Sequence, residues 1–223
     1  MCVSDPIRQR LIDRGFEPNR LFSIYNGLDF SHVVPKTDRA AYFAQFGYTV
    51  HEGDVIAGIA ARLDPVKDIP TLIRAVALAQ KACPQLRLAI AGEGMERKKL
   101  EALAAELGIA DSVFFLGWVN DLDSFYGALD INTLSSLSEA FPSALPEGAR
   151  AHLATVASNV GGVPAIIEHG VTGLLNEPGD VRMLAAYLAR FALDADYRHE
   201  VGEALYRRGK ADFSEEATGL RPL

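Results

Sequence analysis

Short apolar runs alternate with longer amphipathic stretches along almost the whole 223-residue chain, and this rhythm constrains the fold more than any other feature. The runs cover residues 22–25, 55–61, 86–91, 113–116, 131–134, 155–158 and 173–175, and most are rich in Val, Ile, Leu or Phe. They lack strict polar alternation, as expected of strands whose two faces are both covered. Between them lie helix candidates with start and stop signals. Asp68 is placed to cap a helix carrying Leu72, Ile73, Ala75, Val76, Leu78 and Ala79. Residues 95–107 carry Leu100, Leu103, Ala104 and Leu107 at helical spacing, and Gly108 ends that pattern. Asp180 opens a third helix with Leu184, Ala185, Leu188 and Phe191. Repeated strand–helix order predicts an α/β, Rossmann-like parallel sheet with right-handed crossovers and helices on both faces.

The flanks read differently. Ser4-Asp5-Pro6 starts a short helix that Gly15 stops, residues 28–50 look like a polar linker or surface excursion, and Ser214-Glu215-Glu216 opens a helix broken at Gly219. The expected organisation is a helical remnant over 1–20, a binding domain over 21–213 and a truncated tail over 214–223. Two cysteines, Cys2 and Cys83, have neither disulfide-framework nor zinc-site spacing, which fits a reducing cytosol. No apolar run approaches the ~18 residues of a membrane span. The net charge of −7 argues against nucleic acid as a partner, although a local pair of cations can still hold a phosphate.

Four constellations carry chemistry. Glu139-Ala-Phe-Pro-Ser-Ala-Leu-Pro-Glu147 follows an apolar strand and enters a helix, so its two carboxylates bracket a loop-to-helix turn where one faces a ligand and the other holds hydroxyls. Solvated or capping glutamates are the plain alternative. Arg62 leaves the C-terminal end of a strand and Lys67 precedes the next helix, at the edge where open α/β sheets bind ligands. Together they can neutralise a diphosphate; alternatively they answer Asp64 and Asp68. Gly92-Glu93-Gly94 makes a tight turn open to a ligand, but Arg97 falls where a dinucleotide fingerprint needs its third glycine. Gly161-Gly162-Val163-Pro164 allows close backbone approach, or simply connects strand to helix. Asp121-Leu-Asp123 has the spacing of a metal-binding pair and reads better as helix capping, as do Asp194 and Asp196. No metal-ligand cluster or nucleophile–base arrangement is apparent.

In order and spacing these segments resemble glycosyltransferase family 4, of GT-B architecture and retaining chemistry. The likeness runs from about Ser4 to Phe213 through Tyr25-Asn26-Gly27-Leu28-Asp29, Ala61-Arg62-Leu63 with Lys67, Ala91-Gly92-Glu93-Gly94, Phe115-Leu116-Gly117-Trp118-Val119, the Glu139–Glu147 motif, Val160-Gly161-Gly162-Val163-Pro164 and Gly170-Val-Thr-Gly173. It implies the C-terminal, donor-binding half of a hexosyltransferase. Arg62 and Lys67 would grip the diphosphate, Glu147 the ribose, and Glu139 would lie beside the transferring sugar. Gly92, the backbone around Trp118 and Val119, and the amides near Phe141 and Ser143 would complete the donor contacts. The implied donor is a UDP- or GDP-sugar with no other cofactor and no metal, and the acceptor a glycan or a lipid-linked sugar. Implied too are a preceding acceptor-binding domain and a cytoplasmic site, with peripheral contact at the inner membrane surface left open. Pro142 stands where glycine is usual, His152 and Ala154 where glycine and proline are usual, and Ala165 where glutamate is usual. A non-catalytic donor-binding module and a sugar-nucleotide epimerase are the alternative readings.

Overall fold

The computed structural model describes residues 5–23, 25–32 and 34–219. Six parallel strands form one sheet: β1 (Val55–Ala60), β2 (Leu86–Ala91), β3 (Val113–Gly117), β4 (Ile131–Leu134), β5 (Ala154–Ser158) and β6 (Leu174–Asn176). Their order is β3-β2-β1-β4-β5-β6, a doubly wound arrangement; the alternation predicted the parallel sheet with helices on both faces but not this order. Residues 22–25 are not among these strands, and Ile24, in the middle of that run, lies outside the described residues. Among the described residues ten α-helices accompany the sheet: α1 (Asp5–Asp13), α2 (Arg39–Ala44), α3 (Ile69–Ala79), α4 (Arg97–Glu106), α5 (Leu122–Gly127), α6 (Ala144–Arg150), α7 (Val163–Ile166), α8 (Val181–Leu193), α9 (Ala195–Asp212) and α10 (Glu215–Thr218). None is long and apolar enough to cross a membrane among the described residues.

Successive strand residues point to opposite faces, and the core divides accordingly. Ala57, Ile59, Leu88, Ile90 and Val156 pack with α3, α4 and α8 on one face. Ile56, Ala89, Phe114 and Leu116 pack with α2 and α5 on the other, where Leu134, Ala157 and Leu175 continue the layer under α6 and α9. Burial on both sides explains why the strands read as continuous apolar runs.

Two sequence expectations fail here. Residues 28–50 are not a polar linker: α2 buries Tyr42 and Phe43, and the rings of Phe43 and Tyr48 lie 5.4 and 4.6 Å from that of Phe114. These aromatics share that sheet face with α5, and the Tyr48 hydroxyl accepts from the Phe115 amide at 2.9 Å on the edge strand. Nor does Asp68 cap α3. It takes the left-handed conformation (φ 44°), its side chain makes no cap bond, and Pro70 has no amide to offer. The caps at Asp121, Asp180, Asp194 and Ser214 do form, accepting from Ser124, Met183, Tyr197 and Ala217.

His152 follows α6 at φ 59°, in the left-handed region that favours glycine. The strain is offset by a 2.6 Å hydrogen bond between Nδ1 and Glu203 and by stacking on Tyr206 at 3.9 Å. Alanine at this position keeps the strain and loses both contacts, whereas glycine loses the contacts and relieves the strain. His152→Ala is therefore expected to be less stable than His152→Gly by about 1 kcal/mol. Equal urea midpoints for the two variants would contradict this account.

Candidate functional site

At the switch point the chain leaves β1 towards β2 and β4 towards β5, opening a crevice at the C-terminal strand ends. The loops meeting there are stitched together by backbone. Leu63 N–H donates to Glu93 at 2.9 Å, Leu137 N–H to Val66 at 2.8 Å, and the Ser135 hydroxyl to the Lys67 carbonyl at 2.8 Å. Gly92 makes this approach possible: at φ +142°, a Cβ there would sit 1.9 Å from the Ala61 carbonyl oxygen.

A cavity of about 230 Å³ fills the crevice, walled by Ala60, Arg62, Gly92, Trp118, Leu122 and Glu147, with Val119 and Ser143 beside them. A larger cavity of about 450 Å³ lies at the opposite end of the sheet, against Asp130 and Leu153, which precede β4 and β5. None of the sequence-predicted residues lines it, and its acids Asp130 and Glu203 are already engaged by Arg39 and His152.

The side chains at the crevice are prepared to different degrees. Arg62 is 78% exposed and touches Asp64 at 3.2 Å, so it can swing to a ligand. Lys67 does not answer Asp68; its ammonium lies 2.6 Å from Glu139, a pair with side-chain exposures of 19% and 10%. The Ser136 hydroxyl donates to the same Glu139 oxygen at 2.6 Å. Lysine has three donors, so this pairing leaves two for another acceptor. Glu147 stands in the first turn of α6, and one of its oxygens accepts from the Tyr126 hydroxyl at 2.9 Å. Burial, and then the neighbouring Glu147 carboxylate, push the Tyr126 phenol well above its usual pKa, so it stays a donor. Asn132 fixes α6 from below by donating to the Ala144 carbonyl at 3.0 Å.

Trp118 is 71% exposed at the rim and donates to Asn120 at 2.8 Å. Phe141 is turned away from the crevice: its ring is buried against Tyr25 and Phe213, so only its backbone is available at the site. Asp121 caps α5, and Asp123 is held by Arg150 and by His32, so this pair is occupied structurally. Among the described residues no group of three or more His, Cys, Asp or Glu could hold a metal ion.

Residues 43–208 match the family described as glycosyl transferases group 1. The chain belongs to this family. It is 31% identical over 199 residues to D-inositol 3-phosphate glycosyltransferase of Streptomyces scabiei, covering 84% of this chain and 44% of that protein. It is 32% identical over 209 residues to the protein of the same name from Saccharomonospora viridis, covering 89% and 47%. The chain thus spans less than half the length of these two relatives. Anabaena HepE, solved in complex with UDP-glucose, superposes with a TM-score of 0.87 at 26% identity, over 97% of this chain and 60% of that one. The C-terminal domain of LpcC from Francisella tularensis gives a TM-score of 0.74 over 84% of this chain and 99% of that one; at 24% identity the likeness is one of fold.

In this group 1 glycosyl transferase chain, the sequence-predicted residues Arg62, Gly92, Trp118, Val119, Ser143 and Glu147 share one cavity, and Lys67 pairs with Glu139 on the adjoining loops. Sequence reasoning missed Tyr126, Ser136 and Leu122. Ser136 lies three residues before Glu139, a spacing that could have drawn attention to it. Tyr126 had no such signal, because it stands 21 positions from its partner Glu147 and reads as a core residue of its own helix.

Proposed function

We propose that this chain holds the donor side of a hexosyl transfer. It binds a UDP- or GDP-hexose and, with an acceptor-binding domain, passes the hexose to a glycan or lipid-linked acceptor with retention at the anomeric carbon. The observation that carries the reading is the convergence of Arg62 and Lys67 after β1 with Glu139 and Glu147 after β4, at the switch point of the sheet.

Each group has a chemical part. As the bond from the sugar to the diphosphate breaks, charge accumulates on the departing phosphate oxygens. The exposed Arg62 and the two remaining donors of Lys67 neutralise it in place. Glu147 accepts from the ribose hydroxyls with its free oxygen, while Tyr126 holds the other. Glu139, its charge balanced by Lys67 and one oxygen bonded by Ser136, can lie near the diphosphate without strong repulsion and accept hydroxyls of the sugar. The apolar wall of Ala60 and Leu122 takes the nucleoside, and Trp118 borders it.

Calorimetric titration with UDP-glucose, UDP-N-acetylglucosamine and GDP-mannose tests the reading. The Arg62→Ala, Lys67→Ala double variant is expected to lose roughly a hundredfold or more in affinity, about 3 kcal/mol for two charge-assisted contacts. Equal binding by wild type and variant, or binding by neither, would remove the diphosphate assignment.

A further inference from the structure

Beside the loop that carries Glu139, three aromatic rings from distant parts of the chain meet. Tyr25 lies 5.5 Å from Phe141 and 5.5 Å from Phe213, and Phe141 lies 5.6 Å from Phe213. Phe141 is two residues beyond Glu139, Phe213 follows the last residue of α9, and Tyr25 precedes the segment that crosses α10. The segments bearing the two outer rings are tied by backbone. Leu28 N–H donates to the Phe213 carbonyl at 2.9 Å, and Glu215 N–H to the Leu28 carbonyl at 3.1 Å. Gly27 presses so closely that a Cβ there would lie 2.8 Å from the Glu215 Cα.

The Glu139 loop has little else to hold it on this side. No backbone N–H of residues 138–141 donates to a described residue, and Pro142 has none to donate. What fixes the loop is the Leu137 N–H on the Val66 carbonyl, Ser136 and Lys67 at the Glu139 carboxylate, Gly161 against the Glu139 carbonyl, and the ring of Phe141. Of these, only the ring connects the loop to the 25–28 segment and to the end of α9.

We propose that Tyr25, Phe141 and Phe213 form a positioning clasp that couples the 25–28 segment and the end of α9 to the Glu139 loop. The clasp sets the grip on the sugar end of the donor and leaves the grip on the nucleoside end unchanged. Its ligand arm rests on the donor-binding reading above; its mechanical arm does not.

The full chain is compared with Tyr25→Leu and Phe213→Leu, which keep apolar bulk and remove the ring contacts. Tyr25→Phe keeps the ring. Leu188→Ala serves as a core control, since Leu188 is buried in the cluster on the other face of the sheet. UDP with UDP-glucose, and GDP with GDP-mannose, are titrated in pairs, and hydrogen exchange of the Leu137 and Leu145 amides, which flank the loop and donate to the Val66 and Pro142 carbonyls at 2.8 and 3.2 Å, is followed without ligand. Both leucine variants are expected to lower the affinity for the nucleotide sugar by roughly fivefold to tenfold, the scale of one charge-assisted hydrogen bond. The nucleoside diphosphate itself should bind unchanged. Exchange should rise at Leu137 and Leu145 in both leucine variants, and should rise less in Tyr25→Phe, which keeps the ring, than in Tyr25→Leu. The clasp is overturned if nucleotide and nucleotide-sugar affinities fall by the same factor, or if exchange at Leu137 and Leu145 rises no more than in Leu188→Ala. Absence of nucleotide binding by wild type would refute the donor reading alone, and the exchange comparison would still decide the coupling.

Discussion

Lys67→Ala is expected to destabilise the fold by about 3 kcal/mol, because it strands a mostly buried carboxylate without its counter-ion. Glu139 retains only the Ser136 hydroxyl in that variant, and its side chain is 10% exposed. The loss should come mainly from the unpaired charge rather than from the missing contact. Adding Glu139→Gln should therefore recover a large part of it, with a coupling energy of about 1.5 kcal/mol or more. Urea denaturation of wild type, the two single variants and the double variant measures the cycle. A loss below about 1 kcal/mol in Lys67→Ala would mean that the pair behaves like a solvated surface bridge. The cycle needs no ligand, so it tests the assembled geometry of the loops independently of what they bind.

Gly161→Ala should be comparably damaging, for a steric reason. Gly161 has φ +52°, and a Cβ there would lie 1.6 Å from the Glu139 carbonyl oxygen. The neighbour is backbone, not the end of a flexible side chain, so the whole loop must move. Left-handed strain adds about 1 kcal/mol or a little more, and displacing the loop breaks the Lys67–Glu139 pair as well. The expected loss is about 3 kcal/mol or more, at the level of a disrupted buried network. Gly170→Ala is the comparison: it has φ +81° with nothing within 4 Å of its Cβ, and should lose only about 1 kcal/mol. If the two variants lose the same amount, Gly161 is needed only for its dihedral and not as the seat of the loop.

The same glycine shows where sequence reading reaches its limit. Close backbone approach after residue 158 was legible from Gly161-Gly162 as a local possibility, yet a plain connection fitted equally well. Only the fold reveals that the Glu139 carbonyl, 22 positions earlier in the chain, is what comes close. Lys67 followed the same course. Its cationic role at a strand end was readable from position, but its partner is Glu139 across the switch point and not the adjacent Asp68. At Phe141 the family resemblance implies a donor contact through the backbone amide; the place of its ring, in the Tyr25–Phe213 cluster, is decided by tertiary packing.

By itself, the sequence determined a parallel sheet covered by helices on both faces, the starts of α5, α8, α9 and α10 through their caps, the stop of α4 at Gly108, and the strand ends from which the site residues emerge. These follow from local physics: the period of apolar residues, capping by short polar side chains and the termination of helices at glycine. The aromatic cover formed by residues 42–48, the Tyr126–Glu147 bond, the Lys67–Glu139 pair and the cavity walls were decided by tertiary structure alone. Each of these joins groups far apart along the chain. Their partners are selected by sheet order and by the close approach of loops, and no local pattern in the sequence encodes either one.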